Sequence, residues 1–444
     1  MSAGGTRFRL FLQAPFLHPG RPPEIVELAA PPGSIGAGPS DERLYVVDPV
    51  GKRRAYGVAV GPYGTPHLYL PPWRGPIVRP AQPDAAGHFD HIPLGTPQFA
   101  QAHVFAAIAF VLDVWEQYFG RRIGWHFARH FDRLEVSLLP ALDNAHAGYG
   151  YMEVGAHHDE DGALVPYALN FDVLAHELGH LIIYATVGIP DASTADGEYF
   201  GFHESAADMT AIIAALRFDA MVEQLLEDTR GNLYAWNELN RFAELSTTTQ
   251  IRLASNSETM SRFAAGWSDE HELSQPLTGA LFDCLVDIFQ ENLVDRRLIG
   301  RDVADFADRV ERLPELAPVV QAAYDEAYPG REEGFRAALR DAGDYFGLAL
   351  ARAWQWLSPH FLTYVTVARA LLAADAELSG GRYREPILES FTWRDIGAVR
   401  VGPRLTPPGR ADHAASPRTL VPELGRRLPG MAYRERALLA GTMY

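Results

Sequence analysis

A chain of 444 residues is too long for one small core and points to two or three domains or subdomains. With 47% hydrophobic and 21% charged residues it reads as globular and soluble, and a formal net charge of −17 argues against nucleic acid or anionic membrane as the main partner, because phosphate would repel most of the surface. The one cysteine, Cys284, excludes an internal disulfide and fits a reducing compartment.

Residues 1–95 are rich in proline and glycine and form a β-rich segment, with strands expected at Leu44–Val47, Tyr56–Val60 and His67–Leu70 between the turns Asp48-Pro49 and Gly61-Pro62. This segment has three open roles: covering a cleft, extending a sheet or binding a partner. The apolar patch from Leu10 to Phe16 is broken by Gln13 and Pro15, so no signal peptide is read there. No run reaches the roughly 18 apolar residues of a membrane span, and a cytoplasmic placement is expected, with non-classical export as the alternative.

From Pro97 to Phe119, Val104, Ile108, Leu112, Trp115 and Phe119 keep helical spacing and Gly120 ends the run, while His103 reads as a packed or surface histidine. Leu134–Leu139 alternates like a strand and leads into Asp143-Asn144-Ala145-His146. The polar run His157-His158-Asp159-Glu160-Asp161-Gly162 reads as a hairpin turn ahead of a second metal cluster.

Phe171 to Ile183 is the stretch that carries chemistry. Phe171, Leu174, Leu178, Leu181 and Ile182 line an apolar helical stripe, and His176 and His180, one turn apart, project together from another face. Two imidazoles at that spacing can both present a ring nitrogen to one zinc ion, and Glu177 between them can reach a water held there. Gly188 to Gly201 is a loop by composition. Phe202-His203-Glu204-Ser205-Ala206-Ala207-Asp208 then opens a second helix with Met209, Ile213 and Leu216 on its buried side. Glu204 is the candidate third ligand, completing a set that leaves one position open for water. Asp208, one turn on, can accept a hydrogen bond from the far nitrogen of a ligand histidine, and Ala206 and Ala207 let the two helices approach closely. The bland alternative for Glu204 and Asp208 is an acidic helix start favoured by the dipole.

Downstream, the polar stretch Asp269–Pro276 precedes an expected helix from Leu277 to Glu291, whose stripe Leu277, Leu281, Cys284, Leu285, Ile288 puts the cysteine in the core. Helical patterning continues from about 302 to 372. Residues 402–444 are proline-rich, with seven arginines before Ala437, and are expected to form a loosely packed or wrapping tail. The expected division is 1–95, 96–230 with the zinc site, 231–401 helical, and the tail 402–444.

His176-Glu177-x-x-His180 followed by Glu204-x-x-x-Asp208, with Asp143-Asn144-Ala145, Tyr151–Gly155, Leu164–Tyr167 and Asp172-Val173-Leu174 in order upstream, resembles the thermolysin-like gluzincin zinc metallopeptidases across about residues 96–300. The resemblance implies an α+β fold of two subdomains, a mixed sheet with the zinc helices and then a helical part, extended here by the N-terminal β-rich segment. It implies one zinc ion and hydrolysis of peptide bonds in a peptide or protein substrate, with Glu177 as general base. It further implies that Asn144 and the Ala145 carbonyl bind substrate by strand addition, Asn144 alternatively being a turn residue. His271 would donate to the oxyanion. Tyr199 would assist it or stand as a loop aromatic, and His203 would hydrogen-bond behind the ligands or cap its helix. Asp172 matches a calcium carboxylate of the family, but Ala211–Leu216 lacks partner acids, so the family's double calcium site is not expected. Two other functions fit the same residues: a catalytically silent binding module, and a zinc hydrolase of a non-peptide amide or ester.

Overall fold

In a computed structural model the chain is described over residues 4–397, apart from 16–19, 61–65, 160–161, 192, 235–240, 245–249, 264–269 and 311. The tail 402–444, the turn at Gly61-Pro62, Asp269, and Glu160 and Asp161 of the acidic run therefore lie outside the described residues.

The N-terminal segment opens with an antiparallel hairpin, β1 (Thr6–Leu10) and β2 (Glu24–Leu28), whose alternating residues Phe8, Leu10, Val26 and Leu28 are buried. β3 (Leu44–Val47) follows, then a second antiparallel pair, β4 (Gly57–Val60) with β5 (Pro66–Tyr69). Of the three roles open to this segment, extension of the sheet is the one seen. β3 pairs in parallel with β6 (Leu134–Leu138), in a four-stranded sheet of order β3-β6-β8-β7 completed by β8 (Tyr151–Val154) and β7 (Ala145–Ala147). The short β7, antiparallel to β8, is the terminal strand.

Period-two alternation gives this sheet two very different faces. Leu134, Val136, Leu138, Met152 and Val154 join the apolar core. Glu135, Ser137, His146 and Glu153 are also buried, and Lys52, Tyr56 and Trp73 of the N-terminal segment reach Ser137, Glu153 and Glu135. There Lys52 Nζ meets Glu153 Oε1 at 2.5 Å, His146 Nε2 meets Glu153 Oε2 at 2.7 Å, and the Tyr45 and Tyr56 hydroxyls each donate to Glu135 at 2.7 Å.

Across the apolar face lies α1 (Pro97–Phe119), capped by the Thr96 side chain at its start and by left-handed Gly120 at its end. By length and composition α1 could cross a membrane, a property hidden from a search for uninterrupted apolar runs. Yet 72% of its most apolar window is buried inside the fold, which makes it a core helix. Its Trp115 stacks on Trp354 at 4.7 Å, and its His103 is buried, with Nε2 accepting from Phe11 N at 3.0 Å.

After β8 come the hairpin β9 (Ala156–His158) and β10 (Leu164–Pro166), then α2 (Phe171–Thr186), α3 (Gly197–Ala215) and α4 (Asp219–Thr229). The described residues of the acidic run fit the hairpin reading: His157 and His158 lie in β9, and Gly162 N donates to Asp159 O at 2.9 Å. A further hairpin, β11 (Arg241–Glu244) with β12 (Gln250–Leu253), precedes α5 (Glu270–Asp295). The remaining helices are α6 (Arg301–Ala307), α7 (Ala317–Ala327), α8 (Glu332–Trp356), α9 (Tyr364–Ser379) and α10 (Arg384–Trp393). One continuous buried cluster runs from Phe8 to Phe391.

The helix expected from Leu277 begins seven residues earlier, at Glu270, with Pro276 inside it. A proline there supplies no N–H and crowds the carbonyl of Glu272, which is why the sequence reads as a break. The three carbonyls that follow Glu272 take donors from elsewhere in the fold. Tyr364 Oη donates to Leu273 O at 2.7 Å, Ser205 Oγ to Ser274 O at 3.0 Å, and Asn256 Nδ2 to Gln275 O at 3.0 Å.

Candidate metal centre

Helix α2 starts sharply because the Asn170 side chain accepts from the backbone N–H groups of Asp172 and Val173. Its apolar face is buried and its next face carries His176 and His180, 6% and 4% exposed. Helix α3, capped by Asp196, crosses it so closely that Ala207 lies against Gly179, and presents Glu204 (1% exposed) to the histidine pair.

His176 Nε2 lies 3.5 Å from Glu204 Oε2 and His180 Nε2 3.7 Å from Glu204 Oε1. One ligand atom from each of the three residues lies within 4.8 Å of the other two. A tetrahedral ion bound at about 2.0–2.1 Å needs donors about 3.3–3.4 Å apart. The measured spacings come within a few tenths of an ångström of that, and two imidazoles with one carboxylate are the donor chemistry zinc takes. These residues fit a metal ion.

The second nitrogen of each imidazole is engaged. Asp208 Oδ1 sits 2.9 Å from His176 Nδ1 and accepts its proton, which leaves the Nε2 lone pair facing Glu204. His180 Nδ1 lies 2.7 Å from His203 Nδ1. A donating His180 keeps its own Nε2 lone pair for a metal, and His203 then holds its proton on Nε2. Burial pushes His203 down to about 4, with the Glu204 charge opposing and His176 adding to the fall, so at neutral pH it is an uncharged imidazole able to accept. Tyr184, partly buried and 4.3 Å from the His203 ring, backs this pair, and its phenol is raised by loss of hydration first and by the nearby Glu204 carboxylate, so it stays protonated.

Glu177 is partly buried on α2 beside His176. His271, in the first turn of α5, has a side chain 39% exposed and Nε2 3.6 Å from Glu204 Oε2, on the solvent side of the ligand carboxylate. It does not belong to the mutually close group of three. Ala145 begins the terminal strand β7, which packs along α2. Asn144 is exposed just ahead of it, its Oδ1 accepting from Ala145 N at 2.8 Å.

Tyr199 is placed differently from an oxyanion donor. Its side chain is 2% exposed and its hydroxyl donates to Gly188 O at 2.8 Å, fastening the α2–α3 loop to α3. The loop expected to run to Gly201 ends at Asp196, so Tyr199 stands in the first turn of α3 with its hydroxyl turned back to the α2–α3 loop. Among the described residues one other group, Asp84, Asp90 and His91, has ligating atoms close together. There Asp90 accepts from Arg7 at 2.8 Å and Asp84 takes the N–H groups of Ala86 and His88, as in a surface turn.

Three contributors were not read from the sequence: Tyr184, Ser205 and Thr278. Thr278 Oγ1 lies 3.0 Å from Ser205 Oγ and 3.4 Å from Asp208 Oδ2, tying α5 to the residue that orients His176. Small hydroxyls inside helices carry no sequence signal of this kind, but Tyr184 does stand one turn beyond His180.

No described protein family matches the chain, and no curated protein does. Among solved structures, the precursor of protealysin, a metalloproteinase from Serratia proteamaculans, aligns over 73% of this chain and 84% of that one, at 13% identity and a TM-score of 0.38. A likeness so distant carries no chemistry over to this chain, whose own residues have to supply it.

Proposed function

We propose that this chain is a zinc-dependent hydrolase of peptide bonds in a peptide or protein substrate. The observation that carries the reading is the spacing of His176, His180 and Glu204, two imidazoles and one carboxylate close to the separation that a tetrahedral zinc shell needs. A zinc ion held there would supply Lewis acidity, acidifying a water and polarising a carbonyl. Two of its three ligands are oriented by Asp208 and His203, and the helices bearing them are locked together. Glu177, partly exposed beside His176 and outside the ligand set, is placed to take a proton from water and return it to the leaving amine. His271, with Nε2 3.6 Å from Glu204 Oε2, would donate to the oxyanion that forms on the carbonyl oxygen. The terminal strand β7 beside α2 offers backbone to an extended peptide, with Asn144 and the Ala145 carbonyl at its start.

The test is turnover of a quenched fluorescent peptide library by zinc-loaded protein, compared with Glu177→Gln. The expected result is cleavage by the native chain and a fall of roughly 10²- to 10⁴-fold in the variant, at unchanged zinc content. Equal activity in both proteins would remove Glu177 from the chemistry. Zinc bound without turnover in either would make the site a binding module. Cleavage of small ester or amide substrates alone would move the reading to a non-peptide hydrolase.

A further inference from the structure

The side chain that would steady the oxyanion, His271, stands in the first turn of α5 with its imidazole more than a third exposed. Its position is inherited from the backbone of the first turn of α5, and Pro276 keeps the regular helix ladder from being the whole support of that turn. The carbonyls that follow His271 are gripped from outside. Ser205 holds Ser274, and Asn256, itself accepting from Arg394 Nη1 at 3.0 Å, holds Gln275.

Nearest to His271 is the Leu273 carbonyl, held by the hydroxyl of Tyr364 at 2.7 Å. Tyr364 is 0% exposed and opens α9, and its own N–H donates to Glu198 Oε2 at 2.7 Å on the first turn of α3. Three helices meet at this phenol. They meet without spare room: a Cβ on Gly201, one turn before Glu204, would lie 2.1 Å from Tyr364 Oη and 3.3 Å from Leu273 C and Ser274 N. A glycine inside a helix costs about 1 kcal/mol against alanine, and here it opens the space the hydroxyl occupies.

Resting on the peptidase reading above, we infer that Tyr364 is a positioning residue: its hydroxyl sets the backbone carrying His271 against the helix carrying Glu204, and so acts in turnover while leaving substrate and metal binding alone. The oxyanion exists only near the transition state, so a displaced donor lowers kcat without raising KM. Tyr364→Phe keeps the ring and removes the hydrogen bond. With zinc-loaded protein and a cleavable peptide, the expected result is a kcat lower by roughly 10- to 100-fold, with KM and zinc content held. A peptide phosphonamidate, whose tetrahedral oxygen imitates the oxyanion, should lose affinity by a similar factor. In a His271→Ala background Tyr364→Phe should do nothing more to kcat. Gly201→Ala, which crowds the hydroxyl while keeping it, should lower kcat in the native chain and do less in Tyr364→Phe. An unchanged kcat and phosphonamidate affinity in Tyr364→Phe would overturn the inference, as would a kcat loss that persists in full without His271 or that merely accompanies loss of zinc. Native turnover with an indifferent Tyr364→Phe removes this inference alone; absent native turnover removes the peptidase reading and this inference with it.

Discussion

Asp208 shows how much rests on single atoms. An imidazole has two equivalent ways to carry its proton, and only one of them turns the His176 Nε2 lone pair toward Glu204. The carboxylate 2.9 Å from Nδ1 selects that form, and Thr278 braces the carboxylate in turn. Asp208→Ala should therefore weaken zinc binding by about 10- to 100-fold with the three ligands untouched, measured by competition with a chelating dye. Wild-type affinity in that variant would show that the ring is fixed by packing alone. At the same scale, His203, 2.7 Å from His180 Nδ1 and kept neutral by burial, would by accepting that proton do for His180 what Asp208 does for His176. The site thus gains one orienting charge where two would have crowded negative charge around Glu204.

For the elements, the decisive contact is that of α2 with α3. The ligands converge because Gly179 has no side chain: a Cβ there would lie 2.7 Å from Ala207 Cα and 3.1 Å from Thr210 Cβ. Alanine is the better helix former by about 1 kcal/mol, but the obstacle is backbone, which cannot swing aside. Overpacking of this kind typically costs about 1–3 kcal/mol, so the steric term wins. Gly179→Ala should lower the melting temperature of the apo protein and also weaken zinc binding by prising Glu204 from the histidines. A more stable variant with native zinc affinity would refute the close-approach account.

Over the whole molecule, the N-terminal segment is part of the body that carries the candidate metal centre. It gives β3 to the sheet and plants Lys52 on Glu153 in a site from which both side chains are shut off from water. Removing one partner of a buried pair leaves an uncompensated charge and costs about 3–5 kcal/mol, so Lys52→Met should lower stability by that order in denaturant titration. Loss of less than about 1 kcal/mol would refute this account of the pair. The pair also sets an acid response. Burial pushes the Glu153 carboxyl up, but the His146 hydrogen bond and the Lys52 charge outweigh it and hold the group below its ordinary value of 4.5. A depressed carboxyl contributes stability above its unfolded pKa and loses it as pH falls through the folded value. Native stability should therefore drop below about pH 4.5 partly through Glu153, and Lys52→Met should move that drop upward. An unmoved acid limb would place the response elsewhere.

What the sequence determined by itself was local. The ends of α1, the α2 stripe with its histidine pair, and the presence of Glu204 and Asp208 on the next helix all come from periodicity, caps and one-turn spacing, which act within a few residues. The role of His203 and the placement of β7 at the edge were legible only through resemblance to a family. Tertiary structure decided everything that needed two distant segments to meet: β3 in the sheet, Lys52 on Glu153, Tyr184 behind His203, the true start of α5 and the diversion of Tyr199 to Gly188. Pro276 illustrates the reason. A local rule ends the helix there, and the groups that hold the carbonyls just before it, Tyr364, Ser205 and Asn256, come from three separate parts of the chain that only the completed fold brings to one place.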